Sequence, residues 1–316
     1  MRFIVYSDLH LHCWSYGSKL IEGRNSRLLQ QIDVLNQMKK YAVQHGIRDI
    51  FCCGDVTHTQ GRTDAEVLMA GHEVFSGISA DGIKQWWIPG NHDYKDRAGT
   101  IHSLSWLKEL GALVEKQEFF LNYTNGTSLA FLPYTESKDE LLAFFNNVPV
   151  NSICFIHQGV SGVPVNSKIF LDEIFDPAII PEHVAHVFSG HYHDHKLVSP
   201  KLTIPGAPMQ HTWGDAGQPR GWLDCSVDEF GIVIKHIESD HPKFIRDLAE
   251  PHKEGDWRET LEDTMAAPKI KLSAADFSDL DLIAEEYATK KKLNAHTKSI
   301  GKQLRAGKYE VPVAKD

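Results

Sequence analysis

Arg2-Phe3-Ile4-Val5-Tyr6-Ser7-Asp8-Leu9-His10 is a short β-rich run that stops on polar side chains, and this pattern decides the fold. In the extended segment after Tyr6, Asp8 and His10 stand at i and i+2 and share one face. The pattern recurs downstream. Arg48–Cys53 is a second apolar run ending at Gly54-Asp55, and Lys84–Ile88 is a third, broken by Pro89-Gly90 before Asn91-His92-Asp93. Between the runs lie helical signals. Leu28, Ile32, Leu35, Met38 and Tyr41/Ala42 recur at helical spacing and stop before Gly46. Thr63-Asp64-Ala65-Glu66 reads as a capping box, followed by the apolar face Val67, Gly71, Val74, Phe75 and Ile78. A β-α-β-α-β order with polar residues behind each strand predicts an α/β sandwich. Ligands in such folds bind beyond the carboxyl ends of the strands, so the chemistry is expected at Asp8, Asp55 and Asn91.

The middle of the chain changes character. Glu118–Tyr123 and Ser128–Tyr134 flank Asn125-Gly126, a hairpin signal, and Glu136–Phe145 reads as helix. Ser152–Ile156 is a buried strand that delivers His157, and Val184–Phe188 delivers Gly190-His191. Short β segments follow, closing with a hairpin across Asp228-Glu229-Phe230-Gly231. Residues 1–238 are therefore read as one domain and 239–270 as a linker or reduced capping region. Residues 271–316 read as a small helical segment with an apolar stripe (Phe277, Leu280, Ile283, Ala284, Tyr287) and a basic tail from Lys290.

Composition narrows the class of protein. The chain has 316 residues, 42% hydrophobic and 24% charged, with a net charge of -9. These values fit a globular chain and exclude fibrous or wholly disordered architectures. No apolar run approaches the ~20 residues of a membrane span. The opening segment reaches Ser7-Asp8 too soon for a signal peptide. Five cysteines without a C-x-x-C pair give no disulfide framework and no zinc ribbon, so a reduced, cytoplasmic setting is expected. Histidine is in excess, with 18 residues.

Five short pieces carry the chemistry: Asp8-Leu9-His10, Gly54-Asp55, Gly90-Asn91-His92-Asp93, His157-Gln158 and Gly190-His191-Tyr192-His193. Each piece alone is most often a capped turn or a solvated loop. Together, each behind a strand, they supply Asp8, His10, Asp55, Asn91, His157, His191 and His193 as candidate metal ligands. Seven ligands are too many for one catalytic metal with an open position and suit two metals that share a bridge. Two metals about 3.5–4 Å apart clamp the attacking and leaving oxygens of a phosphoryl displacement. Asp55 is the expected bridging carboxylate. His92 remains as the general acid or phosphate clamp, with Asp93 expected to orient it and raise its pKa.

The same series resembles the full signature of calcineurin-like metallophosphoesterases, over residues 1–238. That resemblance implies a four-layer α/β/β/α sandwich, here with a small helical C-terminal appendage, and a pair of Mn, Fe or Zn ions. Further pieces are similar to SbcD-type nuclease subunits: Gly54-Asp55-Val56-Thr57-His58, Ile204-Pro205-Gly206-Ala207-Pro208-Met209-Gln210, Trp213-Gly214-Asp215 and Arg220-Gly221-Trp222-Leu223. This second likeness implies a Mn-dependent DNA exonuclease and endonuclease working with an SMC-like ATPase in DNA repair and recombination. It also implies a C-terminal helical element, Phe277–Tyr287, docked on the ATPase coiled coil; a homodimer is left open. Two departures stand out. Only 78 residues follow Glu238, where a full SbcD carries a capping domain, and His12 stands where the family often has glycine.

Two alternatives accompany this reading: a small-substrate phosphodiesterase or phosphatase of the same fold, and a non-catalytic recruitment subunit. The second is opposed by the complete ligand set. His12, His58 and His211 adjoin the motifs and are candidates for phosphate contact or ligand support, while His195 is expected at the surface.

Overall fold

Both faces of the strand Arg2–Tyr6 are buried, and its alternation sorts the core. Phe3 and Val5 point to one side, and Ile4 and Tyr6 to the other, each into a different apolar cluster. The computed structural model describes residues 1–258 apart from 97–98, 125, 166–168, 247–250 and 254. The chain divides into two units, Met1–Glu259 and Thr260–Asp316, and the fold is that of the first. The expected helical segment 271–316, including Phe277–Tyr287, lies outside the described residues.

Two six-stranded sheets build the unit. One runs Gly231–Glu238, Gly221–Asp228, Arg2–Tyr6, Asp49–Cys52, Lys84–Trp87, Ala112–Leu113 from edge to edge. Its last four strands are mutually parallel, and Gly221–Asp228 pairs antiparallel to Arg2–Tyr6. The other runs Lys196–Ser199, Leu202–Ile204, His186–Gly190, Ser152–His157, Thr127–Leu132, Glu118–Thr124. Here the four central strands are parallel and both edges antiparallel.

The sheets meet through an aromatic layer. Phe3, Phe51 and Trp86 of one pack against Phe131, Phe155 and Phe188 of the other. Phe51 and Phe155 stack with centroids 4.2 Å apart. The outer face of the first sheet is covered by helices α1, Ser26–Gln44, and α2, Ala65–Ala80, through Leu28, Leu35, Met38, Val67, Val74 and Phe75. The outer face of the second is covered by α3, Lys138–Asn147, through Leu141, Phe144 and Phe145. The layers are α/β/β/α, as expected.

Several local expectations are corrected. The cap of α2 is Asp64, which accepts from the Glu66 amide at 2.9 Å, not Thr63. Glu66 does not close a capping box; its carboxylate accepts from the Asn25 amide at 2.6 Å, tying α2 to the start of α1. Packing on the first unit also continues past residue 238. His241, Phe244 and Ile245 are buried, the Phe244 amide donates to Gln210 Oε1 at 2.7 Å, and Phe244–Ile245 pairs parallel with Trp257–Arg258. The apolar side chains at 244–245 draw the segment back onto the domain, so packing runs past 238 into the region read as a linker or reduced capping region. All five cysteines are free thiols, four of them buried.

The parallel strands of both sheets send their carboxyl ends to the same edge, and the approach there is close enough to require glycine. A Cβ on Gly190 would stand 2.1 Å from both the Cys53 carbonyl oxygen and Ser7 Oγ. Gly54 has φ +91°, and a Cβ there would stand 2.4 Å from His157 Nδ1. Gly190→Ala is expected to destabilise the fold by about 3 kcal/mol through overpacking. Gly77→Ala, on α2 with only a flexible lysine end near its Cβ, is expected to stabilise it by up to about 1 kcal/mol. Urea unfolding of the two variants checks both signs.

Candidate metal centre

The loops that carry the candidate ligands leave their strands in left-handed backbone. Asp8 (φ 53°), His10 (φ 47°), Asp55 (φ 54°) and His191 (φ 101°) are all non-glycine residues at positive φ. Such residues are uncommon, cost of order 1–3 kcal/mol each, and cluster at functional sites. The surroundings hold them there. The Asp8, His10 and Leu11 amides donate to the carbonyls of Gly54, Asp55 and Val56 at 2.8–3.0 Å, so the two loops run side by side. Gln31 of α1, fully buried, donates to the Leu9 and His10 carbonyls and accepts from the His12 amide.

All seven candidate ligands meet in one place. Asp8, His10 and His193 place ligand atoms within 4.8 Å of one another, as do Asp8, Asp55 and His157. Asp55 Oδ2 lies 3.6 Å from His10 Nε2 and 3.5 Å from His157 Nε2, between the two groups. Asn91 Oδ1 completes the second group, 3.0 Å from His157 Nε2 and 2.8 Å from His191 Nδ1. The first sheet supplies Asp8, His10, Asp55 and Asn91; the second supplies His157, His191 and His193.

The donor set fits a pair of divalent cations. His157 Nδ1 donates to the Cys53 carbonyl at 2.6 Å, which turns Nε2 toward the Asn91 carbonyl oxygen at 3.0 Å. His193 Nδ1 is likewise held by Asp215 at 3.2 Å, and its Nε2 faces His10 Nε2 at 3.1 Å. Ligand atoms turned toward each other are what a cation takes up, and the mixed imidazole, carboxylate and amide oxygen set suits Mn, Fe or Zn.

Electrostatics point the same way. Burial works against a charged His157, but the carboxylates of Asp55 and Asp8 outweigh it and lift its pKa to about 9. Burial alone would raise Asp55, yet His157 and His10 hold it well below the usual carboxylate range. His10 is pushed well below its ordinary value, mainly by burial, and His191 to about 4 for the same reason. The cluster thus combines an ionised Asp55 with neutral His10 and His191, while His157 keeps a proton that a bound cation would have to displace.

One expected role is corrected. Asp93 does not orient His92. Its buried carboxylate accepts from the amides of Val56, Thr57 and Gly90 and from Thr57 Oγ1, at 2.8–3.2 Å, and so ties the loop after Asp55 to the loop after Gly90. Burial, then the Asp55 charge, raises the Asp93 pKa to about 7. The partner of His92 is the His58 carbonyl, which accepts from Nδ1 at 2.7 Å, while the His92 amide donates to Asp55 Oδ1 at 2.8 Å. Adjacent residues in a tight turn point in opposite directions, which their succession in sequence conceals.

Other neighbours fall into place. His58 closes a triangle of rings with His10 and His92, its centroid 5.2 Å from each and theirs 4.7 Å apart. His211 is buried and its Nε2 donates to the Asp8 carbonyl at 3.0 Å, a support for the loop. His12 is half-buried at the rim beside His58 and Trp14. His195, expected at the surface, stacks on His236 at 4.7 Å. Asp215 was not assigned a role from sequence. It bonds His193 and the buried Arg220, and accepts from the His211 and Thr212 amides at 2.9 Å. The signal for it was the Thr212-x-x-Asp215 capping box, which the structure forms.

Comparison with known proteins agrees with this geometry. The calcineurin-like phosphoesterase family matches residues 1–195, more than half of the chain. A DNA double-strand break repair protein Mre11 from Methanopyrus kandleri is 25% identical over 293 residues, covering 83% of this chain; the chain spans 61% of that protein's length. Among solved structures, a dimetal phosphatase from Danio rerio superposes with a TM-score of 0.50 at 12% identity, covering 76% of this chain and 98% of its own, a likeness of fold. No described helix is long and apolar enough to cross a membrane. With the sandwich, the ligand cluster and the family match in agreement, this chain belongs to the calcineurin-like phosphoesterases.

Proposed function

We propose that the chain is a metal-dependent DNA nuclease of the SbcD or Mre11 type, hydrolysing phosphodiester bonds at the cluster centred on Asp55. The observation that carries the reading is the position of Asp55 Oδ2, about equally far from His10 and His157 and so placed to bridge two cations. The likeness to Mre11 over most of the chain supports DNA as the substrate. Asp8, His10, Asp55 and His193 would hold one ion, and Asp55, Asn91, His157 and His191 the other, with Mn as first choice and Fe or Zn as alternatives. Bound there, the ions would supply a polarised phosphoryl oxygen and an acidified water.

The chain's own residues do the rest. His92 Nδ1–H is committed to the His58 carbonyl, so Nε2 is the atom free to carry a proton to the leaving oxygen as the P–O bond breaks. The His58 carbonyl and the Asp55 contact to the His92 amide fix that ring. Asp215 and the Cys53 carbonyl hold Nδ1 of His193 and His157, so that Nε2 is the atom each ring would offer a cation once its proton is displaced. An SMC-like ATPase docked through Phe277–Tyr287 and a cytoplasmic location complete the proposal.

Linear duplex and circular single-stranded DNA incubated with Mn²⁺ test the assignment. Cleavage of either supports it. Turnover of bis-p-nitrophenyl phosphate without DNA cleavage, and without competition by DNA, overturns it in favour of a small-substrate phosphodiesterase. His92→Asn is expected to keep both metals, measured by elemental analysis, and to lower the rate by roughly 10²–10⁴-fold. Asp55→Asn is expected to lose metal. Loss of metal in His92→Asn would instead make it a ligand. Asp215→Asn is expected to weaken metal affinity by about 10–100-fold in calorimetric titration, while the fold, read by circular dichroism, is retained.

A further inference from the structure

A strip of aromatic rings leads away from the metal centre along the loop after His10. Trp14, half-buried, packs on His58 with centroids 4.3 Å apart and stacks toward His211 at 5.8 Å. Two residues on, Tyr16 is 56% exposed, an unusual position for a large ring beside a polar site. Its hydroxyl accepts from Trp213 Nε1 at 3.0 Å, which fixes the two rings against each other, and it stacks over Phe244 at 6.3 Å. None of these rings is itself a candidate ligand, and the ring contacts of Trp14 are with His12, His58 and His211.

The strip is built rather than incidental. Gly17 has φ +65°, and a Cβ on it would stand 2.3 Å from Trp257 Nε1, so the loop is pressed onto the layer beneath. That layer is Phe244 stacked on Trp257 at 4.7 Å, with the guanidinium of Arg27 4.2 Å from the Trp257 ring. Arg27 is almost fully buried, and its Nε and Nη1 have no hydrogen-bond partner among the described residues. Arg27 is buried beneath the rings beside the ionised Asp215, so the positive charge the strip presents is Arg246, exposed and bonded to the Trp213 carbonyl. Flat rings, a polar rim and positive charge together suit a strand of stacked bases with a phosphate backbone.

We infer that Tyr16 and Trp213, continued by Trp14, form a stacking platform for the unpaired bases of a single DNA strand whose scissile phosphate lies at the metal centre. This rests on the nuclease reading and sharpens it: the strand would enter single-stranded, whatever the state of the flanking DNA. Stacking is worth enough per base, and is sequence-tolerant enough, to grip an end without reading it.

Fluorescence anisotropy with the full chain in Ca²⁺ tests the inference, using labelled oligo-dT and an abasic oligonucleotide of equal length. Equal phosphate charge in both isolates the bases. Oligo-dT is expected to bind about tenfold more tightly than the abasic strand. Tyr16→Ala is expected to weaken oligo-dT binding about tenfold, Tyr16→Phe to restore most of it, and abasic binding to be indifferent to both. Phe230→Ala, at an exposed ring in the hairpin loop on the far strand pair, is expected to bind as the parent chain does. Equal binding of the two strands, or a Tyr16→Ala chain that binds oligo-dT like the parent, overturns the platform; DNA cleavage by the parent would then leave the nuclease reading intact. A parent chain that neither binds nor cleaves DNA overturns both.

Discussion

The stacked contact of Phe51 with Phe155 and the aromatic layer around it set the geometry on which everything else depends. Four candidate ligands hang from one sheet and three from the other, so no metal pair can be held unless the sheets keep a fixed offset. Large flat side chains are suited to this task. Each buries much apolar area, and the offset-stacked and edge-on arrangements seen among Phe3, Phe51, Phe155 and Phe188 are directional as well as favourable. A layer of small aliphatic residues would bury area without fixing registry as tightly.

The centre also depends on local strain that the rest of the fold opposes. Four residues in left-handed backbone lie within the loops that carry the ligands, and each is fastened by main-chain bonds to the neighbouring loop or by a buried side chain such as Gln31 or Asp93. Relaxation of any one loop would swing its ligand away. The outer partners divide the work: carboxylate for His193, carbonyl for His157 and His92, and in each case one ring nitrogen is committed so that the other is turned away from that partner.

Much of this was legible in the sequence because it is local. A strand that ends in Ser-Asp or Gly-Asp announces its own functional end, and helix periodicity over Leu28–Ala42 and Val67–Ile78 gave the two covering faces correctly. The clustering of the candidate ligands could be read because each sits close behind a strand. What sequence order could not convey was direction and distance. Asp93 follows His92 yet faces the opposite way, Asp215 serves a histidine 22 residues earlier, and Phe244 returns to the domain from what looked like a linker. Those relations are made by turns and by long-range burial, for which a single sequence carries no periodic signal.

The antiparallel pairing of Arg2–Tyr6 with Gly221–Asp228 has a consequence for how the chain comes into being. The first strand of the domain in chain order is an interior strand, and one of its two neighbours is among the last parts of the domain to be made. Until then one edge of that strand is open and its apolar residues lack part of their cover. A high separation between partners slows folding, and a domain of this kind completes itself only once its last strands are made. The ligand loops belong to this late event, since the loop at Asp8 rests on His211 and, through the second sheet, on His191. The candidate ligands therefore come together only in the finished domain, and before that its histidines and aspartates are still scattered along the chain.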